Sequence, residues 1–331
     1  MLFVFAGLLL LPSCGDDAAS TSTAPAPPPK ITRPVDPNAK PVPRFDADSA
    51  YAYVAKQVAF GPRVMNTPAH DATAEWLVAK LKSFGAAVEE QKFTATAYDG
   101  TPLKSNNIIG RYNPENEYRI VLAAHWDTRH VADQTDDPAA VVEGADDGAS
   151  GVGVLLEIAR HLGMSTPNIG VDIVFFDAED YGEGGQSSNI DSWGLGSQYY
   201  GKNLKAPKPK YGILLDMVGA KGARFGREGH SVRNAPGLVD KVWKLAAGLP
   251  MSAAYFTDEQ LPPLTDDHYF FMRESGVPMI DIIFYSGSNT RGFGDHWHTG
   301  NDGMDIIDKN TLRAVGQVVA AVVYRDAAGT F

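Results

Sequence analysis

Residues 119–127 read Arg-Ile-Val-Leu-Ala-Ala-His-Trp-Asp, and residues 171–180 read Val-Asp-Ile-Val-Phe-Phe-Asp-Ala-Glu-Asp. Each is a short apolar run that stops abruptly at ionisable side chains. A run with little polar alternation predicts a strand covered on both faces, as in parallel sheets. Two further runs have this character, Tyr211 to Leu215 and Val277 to Tyr285. Helical stretches surround and separate them, at residues 46–60, 68–84, 148–162, 237–247 and 311–324. In the second of these Trp76, Leu77, Leu81 and Phe84 share a face, and Gly85 is placed to end it. Asn310 is the expected cap of the last. Strands alternating with helices predict an α/β fold: a three-layer sandwich whose central mixed, mostly parallel sheet is flanked by helices. The sequence contains no internal repeat.

The chain has 331 residues, 44% of them hydrophobic and 21% charged, which is ordinary globular composition. A formal net charge of -11 argues against a nucleic-acid or anionic-membrane surface. Cys14 is the single cysteine, so the folded part has no internal disulfide, no thiolate metal site and no cysteine nucleophile. Any metal must be held by His, Asp and Glu. Met1 to Leu11 is almost wholly apolar, about half a bilayer span, and runs into Leu11-Pro12-Ser13-Cys14. Residues 1–14 therefore read as a signal peptide with a lipobox-like cysteine. Residues 15–44, rich in Ala, Ser, Thr and Pro, read as a disordered linker, and residues 45–331 as one folded domain. An exported lipoprotein of the periplasm or a membrane surface is expected, touching the membrane only through its lipid and otherwise monomeric.

Position rather than abundance makes the acids informative. The first run ends at His125 and Asp127, the second at Asp177-Ala178-Glu179-Asp180, and the third at Asp216. Asp147 stands where a helix begins, in Gly144-Ala145-Asp146-Asp147-Gly148, and His298 lies in a loop after the fourth run. Open α/β sheets bind ligands beyond the carboxyl ends of their strands, so these groups should meet at one rim. Taken singly, an Asp at a strand end is a turn former and a His a surface or core hydrogen-bonder. Gathered together, carboxylates repel one another unless a cation sits among them. With nitrogen and oxygen donors and no thiolate, zinc suits the set. Adjacent Glu179 and Asp180 divide naturally into a free proton shuttle and a ligand.

The series His125-x-Asp127, Gly144-Ala-Asp-Asp147-Gly, Asp177-Ala-Glu179-Asp180, Leu215-Asp216-Met-Val-Gly-Ala220, Asp266-Asp267-His268 and Trp297-His298-Thr299 resembles animal-type (type II) glutaminyl cyclases and their bacterial relatives. These are glutaminyl-peptide cyclotransferases of the zinc aminopeptidase-like superfamily. The resemblance implies a zinc exopeptidase-like fold and a zinc-dependent catalytic domain over residues 45–331. It implies zinc on Asp147, Asp180 and His298, and Glu179 as acid/base. It also implies a hydrogen-bonded acidic pair, Asp216 and Asp266, beside Glu179, and a substrate pocket lined by Phe293 and Trp297. Trp193, in a long loop after the acid pair, is a further candidate for the pocket rim. The substrate implied is a peptide or protein N-terminus. Two departures stand out: Asp180 where animal cyclases carry Glu, and Asp281 where they carry His. The rival implication is an aminopeptidase with two zinc ions rather than one. His125 and Asp216 would then join Asp147 around a second ion; in the cyclase His125 and Asp127 support the ligands from behind. The Asp-rich stretch from Asp133 to Asp137 reads as a solvated loop, with calcium binding as the alternative.

Overall fold

The computed structural model describes Leu2 and residues 35–137, 139–185, 189–285 and 292–331. Apart from Leu2, the proposed signal peptide with Cys14, and linker residues 15–34, lie outside the described residues. In chain order the elements are α1 (Ala47–Val58), α2 (Pro68–Ser83), β1 (Ala87–Thr96), β2 (Pro102–Tyr112), β3 (Arg119–His125), α3 (Ala149–Met164), β4 (Gly170–Phe176), α4 (Leu195–Lys202) and β5 (Gly212–Asp216). They continue as β6 (Phe225–Arg227), α5 (Gly229–Asn234), α6 (Pro236–Ala247), β7 (Phe256–Gln260), α7 (Asp267–Ser275), β8 (Met279–Ile283) and α8 (Lys309–Ala327).

The main sheet has the order β1-β2-β4-β3-β5-β8. β4, β3, β5 and β8, the four apolar runs read from the sequence, pair in parallel. β1 and β2 were not anticipated; they add an antiparallel ribbon along β4. β6 and β7 form a separate two-stranded parallel sheet.

Side-chain alternation explains the layering. Ile120, Leu122 and Ala124 of β3 join one core with α1, α2, α3, α6 and α8, while Val121 and Ala123 face the other with Tyr200 of α4 and Phe271 of α7. Both faces are therefore covered. Each fully buried Ile or Leu stabilises the fold by about 1.5–3 kcal/mol, so a one-residue slip of β3 would exchange two fitted sets. At the carboxyl rim α3 approaches the sheet closely. A Cβ on Gly151 would strike the Leu215 carbonyl oxygen and lie 2.9 Å from Ala124 Cβ. This approach brings the start of α3 beside the end of β3.

Caps mostly follow the residue chemistry. Thr67 caps α2 ahead of Pro68, and Gly85, with φ +82°, follows its end. α8 begins earlier than expected: Asp308, not Asn310, is the cap, and its carboxylate accepts the Asn310 N–H at 2.8 Å. Residues 35–44 do not behave as free linker. Asp36 N–H donates to the Ala328 carbonyl at 3.0 Å, and Gln317 of α8 donates to the Pro43 carbonyl at 3.0 Å. No helix among the described residues is long and apolar enough to cross a membrane.

Candidate metal centre and active site

Four segments carry the functional side chains to the rim. β3 ends at His125, and Trp126 N–H continues the ladder to the Phe176 carbonyl at 3.0 Å. Asp127, fully buried, accepts the backbone N–H groups of Glu179 (3.2 Å) and Asp180 (3.1 Å) on its two oxygens. It thereby fixes the turn that presents those two side chains. Asp177 shapes the same turn, accepting from Asn106 N–H, Ala178 N–H and His70 Nε2. Ala178 and Met217, which follow β4 and β5, hold left-handed conformations at φ 54° and 45°. Non-glycine residues rarely adopt these, and they persist where surroundings over-determine them.

Asp147 does not cap α3: the cap residue is Gly148, with no side-chain bond, and Asp147 turns its carboxylate into the rim. Its backbone is held from behind. Asp302 accepts the N–H groups of Asp146 (2.7 Å) and Asp147 (3.1 Å), and buried Arg63 donates to the carbonyls of Glu143 and Gly144. Asp146 accepts from Gly219 N–H, Ala220 N–H and His296 Nε2. A Cβ on Gly148 would overlap the His125 ring, so this position has room only for glycine.

Asp147, Asp180 and His298 converge as expected, with ligand atoms within 4.8 Å of one another and all three residues buried. His298 Nε2 lies 3.1 Å from Asp180 Oδ1 and 3.7 Å from Asp147 Oδ2. Its other nitrogen, Nδ1, donates to Asp133 Oδ1 at 3.0 Å. Nε2 must therefore either carry a second proton or face the carboxylates across a cation. Burial alone would lower the His298 pKa, but Asp180 and Asp133 outweigh it and push it to about 9. Asp180 Oδ2 is buried without a hydrogen-bond partner. One nitrogen and several carboxylate oxygens, one of them unpartnered, fit a divalent ion of the zinc type.

A second triple, His125, Asp147 and Asp216, shares Asp147 with the first. Here His125 Nε2 contacts Asp147 Oδ1 at 2.9 Å and Asp216 Oδ1 at 3.2 Å, while Nδ1 lies 3.5 Å from Asp127. Burial pushes Asp216 up to about 8, with His125 pulling down and Asp266 and Asp147 pushing up. Asp266 caps α7 and pushes Asp216 up electrostatically, but its Oδ2 makes no hydrogen bond, either to Asp216 or to Asp281, whose carboxylate lies within 4.8 Å. Behind them His268 donates through Nε2 to Glu228 at 3.0 Å, with Nδ1 3.6 Å from Asp281. The replacement of His by Asp at 281 thus gives a buried carboxyl pair, and burial among acids holds Asp281 well above the carboxylate range.

Glu179 lines the same cleft without joining either triple. Burial raises its carboxyl well above the ordinary value, aided by Asp180, Asp267 and Asp266 and opposed by His125. The cleft encloses about 360 Å³ and is walled by Ile190, Trp193, Leu264, Ile283, Phe293 and Trp297. Phe293 stacks on Trp297 (centroids 4.3 Å) and Trp297 on His298 (3.8 Å). Trp193 donates its indole N–H to the Glu183 carbonyl and packs where a Cβ on Gly182 would collide with it. All three aromatic residues named from the sequence therefore face the cleft.

Several supporting residues escaped sequence reasoning. Asp302, Arg63 and Glu228 act through backbone or buried contacts that no local pattern announces. Asp133 did carry a signal, its place in the Asp133–Asp137 stretch, but it is not simply solvated: it pairs with His298 and Arg129. 

A helix-covered mixed sheet with shared carboxylate–histidine triples at its carboxyl rim defines a metal-centred exopeptidase-like α/β class. The chain belongs to peptidase family M28, which it matches over residues 107–323. Its relatives carry two kinds of description. A glutaminyl cyclase from Porphyromonas gingivalis is 53% identical, with a TM-score of 0.81 covering 86% of this chain and 98% of its own. A Zn-dependent exopeptidase from Parabacteroides distasonis is 50% identical, with a TM-score of 0.83 covering 86% and 99%. The glutaminyl-peptide cyclotransferase of Drosophila melanogaster is 25% identical over 291 residues, 78% of this chain and 75% of its own length.

Proposed function

We propose that this protein is a glutaminyl-peptide cyclotransferase, converting N-terminal glutamine of peptides or proteins to pyroglutamate with release of ammonia. The observation that carries the reading is the meeting of Asp147, Asp180 and His298 in one cleft with Glu179 beside them and free of the ligand set. Zinc held by those three residues would supply Lewis-acid polarisation of the substrate amide.

The chain's own groups account for the rest. The α-amine of the substrate attacks its own γ-carbonyl carbon; the new C–N bond closes the ring and the bond to the amide nitrogen breaks. Glu179 accepts the proton lost by the amine and returns it to the departing nitrogen, which leaves as ammonia. Trp193, Phe293 and Trp297 hold the side chain folded, so that an intramolecular reaction proceeds from a positioned conformer. Burial, with Asp180, Asp267 and Asp266 nearby, raises the Glu179 carboxyl against the pull of His125 and helps keep it poised to exchange a proton.

A second reading, a two-metal aminopeptidase, is favoured by the His125–Asp147–Asp216 triple. The cyclase reading takes one zinc on Asp147, Asp180 and His298, and the aminopeptidase reading adds a second on His125 and Asp216 with Asp147 shared. Incubation with a glutamine-initiated dipeptide tests both. Ammonia and a blocked N-terminus support cyclisation; free glutamine supports peptidase action. Zinc counted per chain separates one ion from two. The apolar start and Cys14 support export with lipid attachment, which Cys14→Ser should abolish in a radiolabelled-palmitate assay.

A further inference from the structure

We infer that Asp133 is a positioning residue that aims His298 at the ion, held in place for this by Arg129; the inference rests on the ligand set proposed above. Asp133 uses both oxygens. Oδ1 accepts from His298 Nδ1 at 3.0 Å, and Oδ2 accepts from Arg129 Nη2 at 2.6 Å. Arg129 is itself buried, and its Nη1 donates to the backbone carbonyls of Asp180 (2.9 Å) and Gly182 (2.8 Å). Its guanidinium carbon lies 4.6 Å from the centre of the Trp193 ring. One carboxylate and one guanidinium therefore tie together ligands from two distant segments and the aromatic wall of the cleft.

The chemistry gives the contact its meaning. A neutral imidazole carries its proton on either nitrogen. A carboxylate on Nδ1 fixes the proton there and leaves the Nε2 lone pair facing Asp180 and Asp147. Histidine ligands commonly gain orientation and basicity this way, and loss of the outer partner costs roughly 10–100-fold in metal affinity. Local packing is built for the contact. A Cβ on Gly184 would lie 2.6 Å from Asp133 Oδ2, where only a hydrogen leaves the carboxylate free to reach Arg129. The competing account is a loop staple, since Gln134 N–H also donates to the His298 carbonyl at 3.2 Å. A staple would affect loop stability but leave metal affinity alone.

The test uses the full chain stripped of metal, with zinc affinity measured by competition against a chromophoric chelator for wild type, Asp133→Ala, Asp133→Asn and His298→Ala. Asp133→Ala is expected to weaken zinc binding roughly 10–100-fold, together with some loss of metal-free melting temperature because buried Arg129 loses its carboxylate partner. Asp133→Asn keeps a neutral acceptor for Nδ1–H and should fall between the two. If Asp133→Ala fails to fold, Asp133→Asn alone decides. Wild-type affinity in the Asp133 variants, with binding lost in His298→Ala, overturns the positioning role and spares the ligand set. Wild-type affinity in His298→Ala overturns the ligand set itself.

Discussion

Replacing Glu179 with Gln should separate chemistry from architecture. The side chain keeps its size. The bonds that place it are made by backbone: Glu179 N–H to Asp127 at 3.2 Å, and Gly194 N–H to the Glu179 carbonyl at 3.1 Å. The nearest ionic neighbour recorded for the carboxylate is His125 Nδ1 at 4.0 Å, so little pairing energy is lost. Fold and metal content should therefore be unchanged. The amide cannot accept and return the proton, and general base catalysis typically contributes about 10²–10⁴-fold. At 1.36 kcal/mol per tenfold, that is about 2.7–5.4 kcal/mol on the barrier. Ammonia release from a glutamine-initiated dipeptide, followed in a coupled assay, gives the turnover; elemental analysis gives the zinc. A zinc-loaded Glu179→Gln protein retaining more than about a tenth of wild-type turnover would remove this residue from the proton path.

Asp127→Ala leaves two buried N–H groups without acceptors, each costing about 1–3 kcal/mol, so urea titration should show a loss of about 2–6 kcal/mol. An unchanged midpoint would mean that water replaces the carboxylate. Trp193→Ala opens the cleft wall and is expected to raise KM more than it lowers kcat; equal loss in both would make it a structural prop. Glu228 is held at about 2: burial opposes its ionisation, but His268 and backbone N–H donors prevail. Its folded value lies below the ordinary 4.5, so its stabilisation is complete above that pH and disappears as pH falls from about 4.5 towards 2. Glu228→Gln should flatten that acid limb of the stability curve, measured by denaturant midpoints across the range.

The parallel centre of the sheet was readable because its strands are buried on both faces, which leaves apolar runs unbroken by polar alternation. β1 was not readable for the opposite reason. It has no fully buried residue, and its Glu89, Glu90, Gln91 and Lys92 look like loop. β2 interrupts its apolar residues with the polar run Lys104 to Asn107, and its Ile108 and Ile109 become recognisable only beside β4. At the site, ligands at strand ends could be placed because the carboxyl rim of such a sheet is where ligands bind. The residues that hold them could not. Asp302, for instance, reaches Asp146 and Asp147 across more than 150 positions of sequence. Asp308 and Asn310 show a smaller ambiguity: both are good caps, and the backbone chose the earlier.

Asp147 points one oxygen at His125 and the other at His298. The two halves of the rim therefore share one negative charge and cannot be filled as independent vessels. An ion drawn towards one histidine depletes the charge available to the other. Any second ion on His125 and Asp216 would have to draw on the same Asp147 carboxylate that faces His298.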